Sequence, residues 1–97
     1  MRVDLFLWFA RVVKKREGAQ AIAEAGHLRI DGRAISRAHC PVRVGNVLTF
    51  AQGTQVRVLR VEALPARRGP AAEARGCYVD LTETARLANV SQERRAD

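Results

Sequence analysis

Aromatic residues are few: three Phe, one Tyr and one Trp in 97 residues. A protein that stacks single-stranded bases on exposed rings needs several to spare, and the core claims most of five. Cysteine is as scarce. Cys40 and Cys77 stand far apart without a CxxC spacing, which argues against a disulfide framework. Adjacent His39 and Cys40 cannot readily meet one ion together, and with His27 and Cys77 they form no paired ligand spacing, so no metal is expected. The sequence has no glycine-rich phosphate loop, HExxH or nucleophile elbow. Asp31 falls in a turn and Asp80 in a strand-like piece, with nothing pairing them as acid and base. Neither enzymatic activity nor a cofactor is therefore expected. No apolar run approaches the roughly 20 residues of a bilayer-spanning helix. "LFLWFARVV" has the look of a secretory signal, but Asp4 precedes it, Arg11 interrupts it and no clean small-residue cleavage site follows. A cytoplasmic chain is the expectation.

What the chain has is positive charge, with 17 Lys+Arg against 10 Asp+Glu and a net charge of +7. Nine of those cations and only four of the acids lie in the first fifty residues, so the excess is concentrated there. Solubility does not require so many cations. A polyanionic partner explains them, nucleic acid first and an acidic membrane surface second. Arginine outnumbers lysine 15 to 2, which suits forked pairing with phosphate. An apolar content of 47% is enough for one core in one domain.

Leu5, Trp8, Phe9 and Val12 recur at i, i+3, i+4 and i+7, which predicts an amphipathic helix capped by Asp4 and ending near Val13 or Lys14. Trp8 and Phe9 are read as core rather than as a stacking platform. A second helix is predicted from Arg16 to Ala25, with Ala19, Ile22 and Ala23 inward and Gly26 as its left-handed stop. "HLRIDGRAI" reads as two short strands around Asp31-Gly32, a strong hairpin dipeptide. After the irregular "SRAHCP", Gly45-Asn46 marks another turn, and "VLTFAQGTQVRVLRVEAL" reads as two strands joined around Gln52-Gly53. Val56 and Val58 alternate while Leu59 and Val61 continue in the opposite phase, which predicts a bulge or a strand buried on both faces. "PARRGPAAEARG" reads as an exposed loop with at most one helical turn, "CYVDL" as a last strand, and the apolar pattern thins from Thr82. One domain over residues 1–84, followed by a frayed tail over 85–97, is the expectation.

Between the two helices stand Lys14, Lys15 and Arg16. If the first helix persists that far, Arg11 shares its polar face with Lys14 and Lys15, three and four residues on. On the second helix Arg16 and Gln20 are neighbours. Arg16 opens that helix, where the unpaired N–H groups favour an anion and the helix dipole disfavours a cation. A phosphate brought to this join would satisfy both.

"RVD" at 2–4, "KKREGAQ" at 14–20, "GHLRIDGR" at 26–33 and "VRVGNVLTF" at 42–50 follow the order and spacing of the ribosomal-protein S-four RNA-binding domain, or alpha-L motif. That family shows Arg-Leu-Asp, Ser/Thr-Arg, a Val-Asn-Gly hairpin and Val-x-x-Gly-Asp, and the resemblance covers residues 2 to 61. "LWFARVVKKR" is most similar to the family's ribosome-associated heat-shock members, and "ARRGPAAEA" extends that likeness to about Thr84. The resemblance implies an α+β fold of alpha-L type, with two short packed N-terminal helices against a small, mostly antiparallel sheet. It implies binding to structured ribosomal RNA or tRNA on the large ribosomal subunit, in rescue of stalled nascent-chain complexes. A monomer is the expectation. Carried over residue by residue, the RNA face is Arg2, Arg11, Lys14, Lys15, Arg16 and Gln20, joined by Arg33 and Arg37 after the hairpin; Arg29 could point to either side of its strand.

Three departures stand out. Lys15 occupies the Ser/Thr cap position, at a cost of about 1 kcal/mol. Gln20 stands where members often carry Arg, and the long basic C-terminal tail of the heat-shock members is not seen. The rival reading is a basic interaction module for a protein partner or an anionic membrane. A membrane binder needs exposed bulky apolar residues beside its cations, whereas Leu5, Trp8 and Phe9 are expected to cover the sheet.

Overall fold

Asp31 and Gly32 both adopt left-handed backbone, with φ of 51° and 84°, so the chain reverses in two residues between β1 (Leu28–Ile30) and β2 (Arg33–Ile35). Gly53, at φ 63°, opens a second two-residue turn between β3 (Val47–Gln52) and β4 (Gln55–Val61). With β5 (Tyr78–Asp80) these strands make an antiparallel sheet in the order β2-β1-β3-β4-β5. Among the described residues four helices accompany it: α1 (Val3–Phe9), α2 (Arg16–Glu24), α3 (Ala71–Arg75) and α4 (Thr82–Arg95). The computed structural model describes the backbone of residues 1–95 and the side chains of residues 1–88.

The core lies between the α1–α2 pair and one face of the sheet. Ala19 and Ala23, four apart on α2, are fully buried and let α1 approach closely. Phe6 and Leu7 of α1 meet Leu28, Leu48, Phe50 and Leu59 of the sheet in one cluster. Each of the two buried Phe side chains contributes roughly 1.5–3 kcal/mol. Gly26, at φ 84°, follows α2 as its predicted stop.

The first helix differs from its prediction in three respects. Its buried stripe is Val3, Phe6, Leu7 and Ala10, which keeps the expected spacing two residues earlier than Leu5, Trp8, Phe9 and Val12. The N-terminal strap decides this rotation: Val3 N–H donates to the Cys40 carbonyl (2.8 Å), Val42 N–H to the Met1 carbonyl (2.7 Å), and Arg2 bridges to Pro41. Leu5, Trp8 and Phe9 are half-buried. The cap position belongs to Arg2, with Asp4 buried in the first turn. The helix stops at Phe9, because Arg11 swings to φ 58° and the Val12 and Val13 N–H groups both fold back onto the Leu7 carbonyl.

β4 carries no bulge. Its register with β3 runs unbroken from Val47↔Arg60 to Gln52↔Gln55. Leu59 and Val61 face the core, whereas Val56 and Val58 face the other side, beside the start of α4. The predicted exposed loop between β4 and β5 holds a buried Gly69 and a half-buried Arg68. Residues 82–95, where the thinning pattern predicts an end that frays from 85 onward, are helical. Thr82 anchors this helix: its N–H donates to the Asp80 carboxylate (2.9 Å), and its hydroxyl accepts from the Val58 N–H (3.0 Å). Residues 96 and 97 of the expected tail lie outside the described residues.

Candidate nucleic-acid interface

The join between α1 and α2 is a built piece of backbone. After Arg11 turns left-handed, Val12 and Val13 are drawn into the core at 8% and 7% exposure, so the next residues must emerge at the surface. Lys14, Lys15 and Arg16 are all exposed, and none has a carboxylate partner among the described residues. Lys15 is the extended N-cap of α2 and supplies no side-chain acceptor. The Ala19 N–H reaches the Lys15 carbonyl (3.2 Å), but the N–H groups of Arg16, Glu17 and Gly18 find no acceptor among the described residues. Three cations thus flank three free donors, and Gln20 lies one turn further along, half-buried. An oxyanion fits this combination.

The other candidates sit differently. Arg2 is already paired: its Nε and Nη2 grip the two carboxylate oxygens of fully buried Asp4 at 3.0 and 2.9 Å. It balances a buried charge, so Arg2 is the member of the expected face that already holds a carboxylate, with its side chain still 42% exposed. Arg11 does not share a helical face with Lys14 and Lys15, since the helix has ended. Its Nε donates to the Gly69 carbonyl at 2.5 Å instead. Arg37 is exposed two residues beyond Ile35, which pairs with Leu28 just past the end of α2. The neighbouring Ala38 carbonyl accepts from Asp4 at the start of α1. Arg37 therefore lies at the far end of the helix pair from the join, about 10 Å away by the length of α1. Arg33 is exposed on the edge strand β2, at the hairpin tip. Arg29 folds onto the same tip, donating to the Gly32 carbonyl (3.0 Å). Asp31 braces the hairpin by accepting from Asn46 Nδ2 and the Val47 N–H, both at 2.7 Å.

Two side chains that the sequence reading passed over hold the join from behind. Arg68 donates through Nη1 to the Trp8 and Val13 carbonyls, the latter at 3.3 Å, and its guanidinium stands 5.6 Å from the Trp8 ring centre. Gln52 donates to the Val12 carbonyl (3.0 Å) and is itself held by Arg57 (2.7 Å), which also reaches Asp80. The one sequence signal for the first contact was the "ARRGPAAEA" motif. Cys77 is buried beside Glu73, and burial first, then that carboxylate, pushes its thiol pKa up. No three His, Cys, Asp or Glu side chains gather as a metal site among the described residues.

Residues 1–48 match the family model of the S4 domain. The chain carries an S4 domain. That domain is the alpha-L RNA-binding fold, and the two packed helices on an antiparallel sheet are its architecture here. The chain is also 33% identical over 84 residues to heat shock protein 15 of Escherichia coli K12, covering 87% of this chain. It is 32% identical over 78 residues to a heat shock protein 15 homolog of Haemophilus influenzae, covering 80% of this chain and 59% of that protein. The chain spans 62% of the length of the E. coli relative. A solved structure of Vibrio cholerae heat shock protein 15, described as trimeric, superposes with a TM-score of 0.79 at 28% identity over 95% of this chain and 94% of that one.

Proposed function

We propose that this chain is a non-enzymatic RNA-binding protein that contacts structured ribosomal RNA or tRNA through the α1–α2 join. The supporting observation is the set of three exposed, unpaired cations around the open N-terminus of α2, carried on an S4 domain. Phosphate oxygens complete both features, and a backbone-directed mode suits a protein whose aromatic rings are mostly committed to packing. Lys14, Lys15, Arg16 and Gln20 form the centre of the face. Arg33 and Arg37 extend it towards the hairpin and the far end of the helices, and Arg11 flanks it.

The finer reading follows the similarity to heat shock protein 15: a cytoplasmic protein acting on the large ribosomal subunit in rescue of stalled nascent-chain complexes. Gradient sedimentation of a cell lysate tests it, and the protein is expected to travel with large subunits. Travel with small subunits or free RNA alone would overturn that assignment and leave RNA binding intact. For RNA binding itself, about six phosphate contacts predict that log affinity falls with log salt at a slope of roughly −4 to −5. A flat response would remove the phosphate-reading face. The Vibrio relative's trimer makes the expected monomer worth measuring in the same preparation by analytical ultracentrifugation.

A further inference from the structure

The motif "ARRGPAAEA" lies outside residues 1–48 that match the S4 family model, yet its second arginine returns to the join. Arg68 reaches back 60 residues to the carbonyl of Trp8, near the end of α1, and 55 residues to that of Val13. The Trp8 carbonyl stands in the last turn of α1 and also accepts from the Arg11 N–H, and a cation at this end of a helix is favoured by its dipole. Val13 is the residue immediately before Lys14, so the same guanidinium fixes the peptide from which the exposed cations depart. The contact is reciprocal, because Arg11 crosses in the opposite sense to the buried Gly69 next to Arg68. Arg68 itself has no carboxylate partner among the described residues, and its charge is turned towards protein carbonyls and the Trp8 ring.

Resting on the RNA-binding reading above, we propose that Arg68 is a positioning residue for the RNA face. It clamps the α1–α2 join and thereby fixes the direction of Lys14, Lys15 and Arg16 without touching RNA. The functional unit then extends beyond the S4 match to include the β4–β5 segment. A guanidinium suits this place, since Nη1 meets both carbonyls while the rest of the group lies over the Trp8 ring.

The test uses the full chain with Arg68→Ala and Arg68→Lys, a structured ribosomal RNA fragment, and a titration at several salt concentrations. Trp8 is the single tryptophan, so its emission reports the clamp directly. Arg68→Ala is expected to shift Trp8 emission and to weaken RNA binding about tenfold, on the scale of one lost charge-assisted hydrogen bond. The salt slope stays unchanged, and Arg68→Lys recovers only part of the loss. A slope shallower by about 0.9 would make Arg68 a phosphate ligand and overturn the positioning role. So would wild-type affinity in Arg68→Ala despite a shifted emission. Should Arg68→Ala fail to fold, Arg68→Lys decides: several-fold weaker binding at an unchanged slope supports the clamp, and wild-type affinity overturns it. If the wild-type protein itself gives no salt-dependent binding, the RNA reading fails first, and that outcome is distinct from all of these.

Discussion

Among the described residues, eight of the nine cations in the first fifty find no carboxylate, whereas four of the six between residues 51 and 88 do. Arg57, Arg60, Arg67 and Arg86 each meet an Asp or Glu, while Lys14, Lys15, Arg16, Arg33 and Arg37 stand open. The difference teaches that total charge overstates what is offered to a polyanion. A cation neutralised inside the molecule has little left to exchange for phosphate, and exposed pairs add at most about 1 kcal/mol to stability. The asymmetry visible in the residue counts is thus sharpened by folding.

The largest effect expected from breaking that contrast lies at its one exception in the first half. Asp4→Ala strips Arg2 of its buried partner, and the Leu5 N–H loses the acceptor it reaches at 2.8 Å. Loss of this pair costs about 2–3 kcal/mol, since Arg2 is half-exposed, and lowers the melting temperature by roughly 10 °C or more. Thermal unfolding followed by circular dichroism measures it. In the folded fraction Arg2 becomes a free cation, and the salt slope steepens by up to about one.

The double substitution Lys14→Ala with Arg16→Ala removes the centre of the open set. RNA affinity is expected to fall about 50-fold at 0.1 M salt, with the slope shallower by about 2. The melting point moves within about 2 °C, because neither side chain has an ion-pair partner among the described residues. Unchanged binding would sink the interface.

Arg60→Ala breaks an exposed pair with Glu62 (2.8 Å) in the neutralised half. Stability should shift by less than about 0.5 kcal/mol, and the salt slope should not move. A slope that did move would show that paired arginines also reach RNA.

The smallest effect is in the acid limb. Hydrogen bonding with Thr82 holds the Asp80 carboxyl below its ordinary range, and Arg57 adds to this against the opposing pull of partial burial. A depressed carboxylate contributes stability above its unfolded pKa, ordinarily about 3.9, and loses it as pH falls through the folded value. Asp80→Asn should therefore flatten the decline in melting temperature below about pH 4. Asp80 is 48% exposed, so the change is small.

Local chemistry was legible in the sequence where a glycine decides the outcome: Asp31-Gly32, Gly53 and Gly26 needed only their own backbone preferences. The cap of α1 and its early stop at Arg11 carried no such mark. The rotation of α1 did not follow, because "VDLFLWFA" is apolar on almost every side, and two stripes of equal spacing compete. The strap of residues 38–42 chooses between them. Arg2 looked free because a buried carboxylate two residues away leaves no mark in a pattern of polar and apolar letters. α4 was missed for the opposite reason: it is polar all round and shows no stripe, so nothing periodic announces it. The contacts of Arg68 and Gln52 span 40 to 60 residues and are invisible to any window.

The strap and the clamp together impose an order in time. Residues 1–4 cannot settle against the rest until residue 42 has been made, and the join cannot be gripped until residue 68 has followed. The residues of the join are therefore made before the side chain that grips them, and this fold closes from its later part back onto its start.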